Sequence, residues 1–304
     1  IIAKMANGIA DDLISTTLLA TPRPIVVAPA MNNGMWKAPA TQANMATLRD
    51  RGVHVVGPGS GYLACGDVDT GRMSEPEDIV EAVCEVLDPA PQDLAGKRVV
   101  ITAGPTHEPI DPVRFIGNRS SGKMGIALAG EAARRGAEVT LVLGPTSLDV
   151  PHGVECVRVQ TAAEMLQAAQ NAFQTADAAI CAAAVADYTP AAPADHKLKK
   201  INERLDRIEL VETVDILAEL SRQKGERCVI GFAAETDNVV EYAQRKLARK
   251  GCDAIIANDV SRADSGFGTD TNKAWIVSTA GTQELPVLTK PQLADTILDL
   301  LQNL

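Results

Sequence analysis

From residue 97 onward, short apolar runs alternate with amphipathic helical patterns, and this alternation constrains the fold more than any other feature of the chain. Strands are expected at 98–103, 138–143, 178–183, 228–232 and 253–257, and helices at 122–136, 162–173, 215–223, 238–250 and 290–302. Apolar strands separated by helices that must cover them imply a parallel sheet buried on both faces. Two less regular strands, near 207–211 and 273–278, are expected to extend that sheet. A shorter alternation precedes it: a helix over 9–19, a strand over 25–28, a helix over 36–51, a strand over 53–56 and a helix over 76–87. Between the two alternations, the stretch from Asp88 to Gly96 is rich in Pro and small residues and reads as a linker. The expected organisation is an α/β domain over 1–88, a linker over 89–96 and a second α/β domain over 97–304.

Composition narrows the function. A net charge of −10 argues against a general nucleic-acid or anionic-membrane binder, though not against a local basic pocket. Six cysteines without a CxxC pair argue against a disulfide framework or zinc site and suit a reducing cytoplasm. No apolar run of about 18 residues is present, so no membrane span is expected. The sequence opens at Ile1 within a helical pattern, with neither Met nor a signal-peptide pattern, so its natural N-terminus is expected to lie upstream.

The stretch from Ala103 to Gly125, AGPTHEPIDPVRFIGNRSSGKMG, links the first strand of the second domain to its first helix. At about twenty residues it is too long for a mere connector. Ligands in open α/β sheets gather at strand carboxyl ends, and helix N-termini attract phosphate. Arg114, Asn118, Arg119, Ser120, Ser121 and Lys123 suit an anion, and Gly122 and Gly125 let backbone amides approach one. The plainer reading is an ordered loop with Ser120 or Ser121 as helix N-cap. Neither GxGxxG nor GxxxxGK[ST] occurs here. CAAAVADY (Cys181–Tyr188) offers small residues against which a flat base or ribose can lie, and Asp187 could hold a divalent cation or hydroxyl; the alternative is a buried Ala-rich strand with Asp187 capping a turn. KLKK (Lys197–Lys200) and the pair Lys246/Lys250, four apart on one helix face, read singly as solvated surface. GFAAET (Gly231–Thr236) ends another strand. Together these motifs fall at the carboxyl side of successive parallel strands, an arrangement suited to a nucleoside triphosphate with a cation.

In the first domain, PAMNNGMW (Pro29–Trp36) follows a strand. Asn32 could hold a carboxylate or simply cap a helix. Cys65 lies in the polar loop GSGYLACGDVDTGRM (59–73), where an exposed, reactive thiol is expected. DVDTGR mimics a calcium loop, but Gly71 replaces a ligand, and GPGSG (57–61) lacks dinucleotide spacing.

The order AGPT…DPVRFI.N.SSGKMG, AAVADY, KxKK, GFAAET and Lys-x-x-x-Lys resembles the phosphopantothenate–cysteine ligase domain, which bacteria fuse behind phosphopantothenoylcysteine decarboxylase in bifunctional coenzyme A biosynthesis proteins. The resemblance covers nearly all of 96–304 and implies a Rossmann-like ligase domain. That family activates the phosphopantothenate carboxylate with CTP, expels pyrophosphate, and lets the amine of cysteine attack the acyl-cytidylate. By resemblance, Cys181, Ala182, Ala183, Asp187, Lys197, Asp215, Phe232, Lys246 and Lys250 would contact the nucleotide, with Mg²⁺ near Asp187. Asn118 and Lys197 would take catalytic parts, Asn118 by donating to the acyl oxygen, with Arg114 at the substrate. The family's Pro-Asp-Ile is Val214-Asp215-Ile216 here, without the fixed φ of proline.

PAMNNGMW, the Cys65 loop and AKMANGIADDLIST (Ala3–Thr16) resemble the decarboxylase half, an FMN-dependent, flavodoxin-like domain of the cysteine decarboxylase type. The resemblance implies Asn32 on the substrate carboxylate, Cys65 as proton donor, and Asn7 and Met31 on the flavin side. In the family, the first strand, flavin-phosphate loop and catalytic histidine precede the matching segment, and His54 and His107 lie outside its motif. About half of the flavin domain is therefore expected to be missing and decarboxylation by this sequence alone is not expected. The family also implies a cytoplasmic homo-oligomer, with paired ligase domains and a dodecamer for the full-length protein. A non-catalytic flavoprotein subunit is the alternative, against which the ligase loop and its lysines speak. An NAD-dependent oxidoreductase is opposed by the missing GxGxxG.

Overall fold

The computed structural model describes all residues except 63–65, 67, 88, 200–205, 263, 267 and 304. The chain divides into two compact units, Ile1–Ala90 and Pro91–Leu304.

In the second unit, eight strands form one sheet: β1 (Arg98–Ala103), β2 (Glu138–Leu143), β3 (Glu155–Arg158), β4 (Ala178–Cys181), β5 (Cys228–Glu235), β6 (Ala254–Asp259), β7 (Thr271–Ser278) and β8 (Gly281–Thr289). Their order is β8-β7-β6-β5-β4-β1-β2-β3. Strands β1 to β6 run parallel, and β7 and β8 add an antiparallel edge. The parallel part therefore has the doubly wound order 3-2-1-4-5-6, and the chain changes direction between β1 and β4. At such a switch point the strand carboxyl ends open a crevice.

Helices α1 (Lys123–Arg134), α2 (Ala162–Phe173), α3 (Ile216–Gln223), α4 (Val239–Lys250) and α5 (Lys290–Asn303) cover the sheet. Two apolar clusters form its two sides. Ile101, Leu128, Leu141, Ile180, Ile256 and Ile297 belong to one, and Val100, Val142, Met165, Phe173, Leu220 and Ile255 to the other. Consecutive residues of β1 fall in opposite clusters, as the two-residue period of a strand requires. Gly125 faces β1 so closely that an added Cβ would sit 2.3 Å from the Ala103 Cβ, so glycine sets the helix–strand spacing there.

Three sequence expectations are corrected. The long opening loop contains a hairpin, His107–Pro109 paired with Phe115–Gly117, held by a His107–Phe115 ring stack at 3.7 Å. Leu210–Glu212 pairs with Tyr188–Pro190 as a separate ribbon and does not extend the main sheet. Strands β3 and β8 were not anticipated; both lie at sheet edges and are largely exposed, so neither carries the continuous apolar run of a central strand.

The first unit has helices Ile2–Asn7, Leu13–Ala20, Asn33–Lys37, Pro39–Asp50 and Pro76–Leu87. The helix expected over 9–19 starts later, at Leu13, because Asp12 caps it by accepting from the Ser15 amide; the helix before it, Ile2–Asn7, ends at Gly8, at φ 68°. The helix expected over 36–51 is split at Ala38, which precedes Pro39 and is thereby steered from helical geometry. Val26–Val27 and His54–Val55 form a parallel pair, and Gly59–Tyr62 with Val68–Arg72 an antiparallel one. The calcium-like DVDTGR segment is therefore largely a hairpin strand. Gly71 passes so near the loop at Met31 that an added Cβ would lie 2.3 Å from the Met31 carbonyl oxygen.

Candidate functional site

A cleft of about 730 Å³ opens at the carboxyl ends of β1, β4, β5 and β6. The switch-point topology puts it there, and it draws on residues from Thr102 to Lys290. Asn118, Cys181, Ala182, Ala183, Asp187, Asp215, Phe232, Lys246 and Lys250 all line it.

The wall formed by Cys181–Asp187 is held by buried polar groups. The Thr106 hydroxyl accepts from the Ala186 amide at 3.0 Å, and the Thr102 hydroxyl from the Ala183 amide at 3.4 Å. The Thr213 hydroxyl donates to the Ala186 carbonyl at 2.5 Å, and the Thr213 amide to the Asp187 carbonyl at 2.9 Å. Asn118 closes the same wall: its Nδ2 donates to the Ala184 and Val185 carbonyls at 3.2 and 3.0 Å. In this arrangement Nδ2 faces the two wall carbonyls and Oδ1 is available as an acceptor. The Cys181 thiol is pushed up to about 12 by burial, so it stays a thiol and contributes shape rather than nucleophilicity.

On the facing wall, the Lys246 ammonium donates to the Phe232 carbonyl at 2.8 Å. Burial lowers its pKa, opposed by Glu235. Lys250 forms an ion pair with Asp215. Burial also lowers the Lys250 pKa, opposed by Asp187. Asp215 is in addition the N-cap of α3, accepting from the Ala218 amide at 3.0 Å. Its carboxylate thus holds α3 and orients Lys250. The exposed Asp187 lies at the cleft, and no group of three or more metal-ligating side chains occurs among the described residues. A divalent cation there would depend on a bound ligand for most of its oxygens, the usual case for Mg²⁺ with phosphates.

Two expected site residues stand apart from this lining. Arg114 is committed to the buried Asp111, to which its Nε donates at 3.0 Å, and to the Leu198 carbonyl at 3.0 Å. Lys197 is exposed on the adjacent loop, and Lys200 lies outside the described residues. Asp111 connects the two: it also accepts from the Val113, Arg114 and Leu198 amides, and Arg114 holds its carboxyl far below the usual range. Sequence reading missed Asp111, although an acid directly before Pro112 is a turn signal. Glu108, also missed, is buried and accepts from the Ala162 amide at 2.8 Å, tying the opening hairpin to the positive end of α2.

At the start of α1 the N-cap is Gly122, at φ 84°, not Ser120 or Ser121. No side chain caps this helix end, and the Ser120 hydroxyl accepts from the Gly122 amide at 3.3 Å. Ser120 to Gly125 all line the cleft. Sequence reading also missed Asn258, Asn272 and Lys290, which line its far end. Only Lys290 carried a usable signal, a cation at the first position of an expected helix.

In the first unit, the Asn32 side chain accepts from the Gly34 amide at 2.8 Å as the N-cap of Asn33–Lys37. The Met31 amide donates to the Gly71 carbonyl at 3.0 Å. The Asn7 side chain donates to the Ala3 carbonyl of its own helix. Cys65 lies outside the described residues.

Residues 94–304 match the family described as DNA/pantothenate metabolism flavoprotein C-terminal domain, and residues 1–88 the family described as flavoprotein. The chain is 48% identical over 301 residues to the coenzyme A biosynthesis bifunctional protein CoaBC of Bacillus subtilis (strain 168), covering 98% of this chain and 74% of that protein. The Escherichia coli (strain K12) protein of the same name is 48% identical over 302 residues, with the same coverage. Among solved structures, the C-terminal domain of a coenzyme A biosynthesis bifunctional protein CoaBC is 46% identical with a TM-score of 0.58, covering 68% of this chain and 95% of that one. A DNA/pantothenate metabolism flavoprotein from Streptococcus pneumoniae shares the fold at 24% identity and a TM-score of 0.59, covering 68% of this chain and 99% of that one.

Proposed function

The chain belongs to the family of bifunctional coenzyme A biosynthesis enzymes, and from that membership we infer that its second unit, proposed to span 97–304, joins cysteine to 4'-phosphopantothenate at the expense of CTP. The observation that carries this reading is the switch-point cleft, where Asn118, Asp187, Phe232, Lys246 and Lys250 share one cavity.

In the first step a carboxylate oxygen of the acid attacks the α-phosphorus of the nucleotide, the bond to the β-phosphate oxygen breaks, and pyrophosphate leaves. Lys246 and Lys250 set fixed positive charge beside that leaving group, in partly desolvated positions where it acts more strongly than in water. Mg²⁺ near Asp187 would supply further neutralisation of the phosphates. The small side chains of Ala182 and Ala183 give a flat ring or ribose access to the backbone. In the second step the cysteine amine attacks the acyl carbon, the bond to the cytidylate oxygen breaks, CMP leaves, and the amine proton passes to solvent. The Asn118 Oδ1 offers that amine an acceptor while Nδ2 keeps the wall in place. Lys197, on the loop fixed by Asp111, completes the nucleotide contacts from the open side.

Residues 1–88 are the flavoprotein portion, and FMN-dependent decarboxylation of phosphopantothenoylcysteine is the activity that family membership supports there. Asn7, Met31 and Asn32 are assigned to that site by motif alone, and no chemical step is derived through the flavin. Membership also supports a cytoplasmic homo-oligomer with paired ligase units.

Supplying 4'-phosphopantothenate, CTP, Mg²⁺ and cysteine tests the ligase reading: pyrophosphate and the cysteine amide are expected. A folded chain that forms neither refutes it. A Lys197→Ala variant with undiminished turnover removes the role given to that lysine. Visible flavin absorbance without CTP binding favours a non-catalytic flavoprotein instead.

A further inference from the structure

The hairpin inside the opening loop is fastened at both ends to parts of the site. At its base, the Thr106 amide donates to the Ala184 carbonyl at 3.4 Å, the Thr106 hydroxyl accepts from the Ala186 amide, and Asn118 donates to the Ala184 and Val185 carbonyls. Its two stems thus grip the cleft wall at 184–186. At its tip, the Ile110 carbonyl accepts from the Ala194 amide at 3.0 Å, Asp111 accepts from the Leu198 amide at 3.2 Å, and Arg114 donates to the Leu198 carbonyl at 3.0 Å. These three bonds hold the loop that carries the exposed Lys197. Between base and tip the hairpin is braced. His107 and Phe115 stack across it, and Gly117 packs so closely that an added Cβ would lie 2.7 Å from the Thr106 carbonyl oxygen. Glu108 and the His107 amide, which donates to the Gln160 carbonyl at 2.8 Å, tie it to the start of α2.

The two oxygens of Asp111 divide the work. Oδ1 accepts from the Val113 and Arg114 amides, both at 2.9 Å, the ordinary part of an Asx residue in a turn. Oδ2 accepts from the Arg114 Nε at 3.0 Å and from the Leu198 amide at 3.2 Å. Asparagine or serine could close the turn. Only a carboxylate also offers a second oxygen to a guanidinium and to a backbone amide of another loop. The Asp111 side chain is fully buried, and a buried charge is costly unless it is paired and hydrogen-bonded. The turn alone does not call for that charge; the grip on Leu198 does.

We propose that Asp111 is a positioning residue for Lys197: through Oδ2 and the Arg114 guanidinium it fixes the Leu198 backbone, so that the braced hairpin sets the lysine loop against the nucleotide wall at 184–187. This rests on the ligase reading and on the part given there to Lys197. It adds that one rigid element aligns two segments that meet the nucleotide, and that Asp111 acts on turnover only through the lysine one residue before the backbone it holds.

The test is a double-mutant cycle on the whole chain: steady-state kinetics of amide formation, with CTP varied, for wild type, Lys197→Ala, Asp111→Asn and the double variant. Asp111→Asn keeps Oδ1 for the turn but sets an NH2 where Arg114 and the Leu198 amide need an acceptor. It is expected to lower kcat/KM for CTP about tenfold, the scale of a lost charge-assisted contact. In the Lys197→Ala background the same change should matter less than about twofold, because both substitutions then remove one function. A general distortion of the site would instead multiply with the loss of Lys197. Multiplying effects overturn the proposal, and so does an Asp111→Asn variant with undiminished kcat/KM. If Asp111→Asn does not fold, Asp111→Ser decides in the same cycle, since its hydroxyl can close the turn and it has no second oxygen for Leu198. A Lys197→Ala variant as active as wild type defeats the part given to that lysine and this inference with it. A wild type that forms no amide defeats the ligase reading itself; an active wild type in which the two changes multiply defeats only this inference.

Discussion

Among the described residues, 91–304 build an eight-stranded sheet between two extensive apolar clusters, whereas 1–90 contain two two-stranded sheets and a core cluster whose buried members are Ala6, Met45 and Leu48. The motifs of the two units are equally recognisable, but they are supported differently. In the second unit, buried groups such as Thr106 and Asp111 position the site from outside it. In the first, Asn32 caps its own short helix and Asn7 bonds to its own helix, so a functional side chain and a local capping side chain look alike. A deep framework is what separates the two readings.

The largest test of this contrast is Lys246→Met. Removing a half-buried charge proposed to face the leaving pyrophosphate is expected to lower amide formation about 10²–10³-fold, with the thermal transition of the first unit unaltered. A parallel loss of both signals would break the separation of the units. Asn118→Ala should follow, lowering turnover about 10²-fold because the 184–185 wall loses two hydrogen bonds and shifts. Trapping experiments should then show acyl-cytidylate accumulating; failure of the first step instead would reassign Asn118 to the nucleotide.

Stability offers a finer comparison. Leu220→Ala and Met45→Ala each delete a fully buried side chain and should each cost about 2–5 kcal/mol. Two-stranded sheets are marginal by themselves, so calorimetry should show the first unit melting earlier. Leu220→Ala should move only the later transition and Met45→Ala only the earlier one. A single shared transition would contradict this. The smallest effect concerns pH. The Lys246 pKa is lowered by burial, so its charge, and with it nucleotide affinity, is lost on the alkaline side before the ordinary lysine value of 10.5. Over the same window the unfolded chain binds more protons than the folded one, so the contribution of Lys246 to stability rises with pH. Affinity falling while this contribution rises is the signature; parallel changes would point to general unfolding.

Much of the fold was readable because strand and helix periods leave clear marks in buried elements. The expected strands 98–103 and 138–143 and helices 162–173 and 76–87 coincide with the observed ones. Edge elements were less readable. Gly281–Thr289 is exposed along most of its length and contains Pro286, so it lacks the apolar run used to find strands. The hairpin within the opening loop is held by a ring stack and by long-range bonds, which no local pattern encodes.

The sequence by itself determined the alternating elements, the linker composition and the motifs that mark the family, since each is a pattern within a short window. Tertiary structure alone decided that Arg114 reaches the Leu198 carbonyl, that Asn118 donates to the 184–185 backbone, and that Lys123 and Lys290 converge. Those facts depend on the strand order 3-2-1-4-5-6, which brings residues far apart in the chain to one crevice. Which partner a polar side chain takes is fixed by the nearest buried donor or acceptor in space, and its distance along the chain carries no trace of that choice.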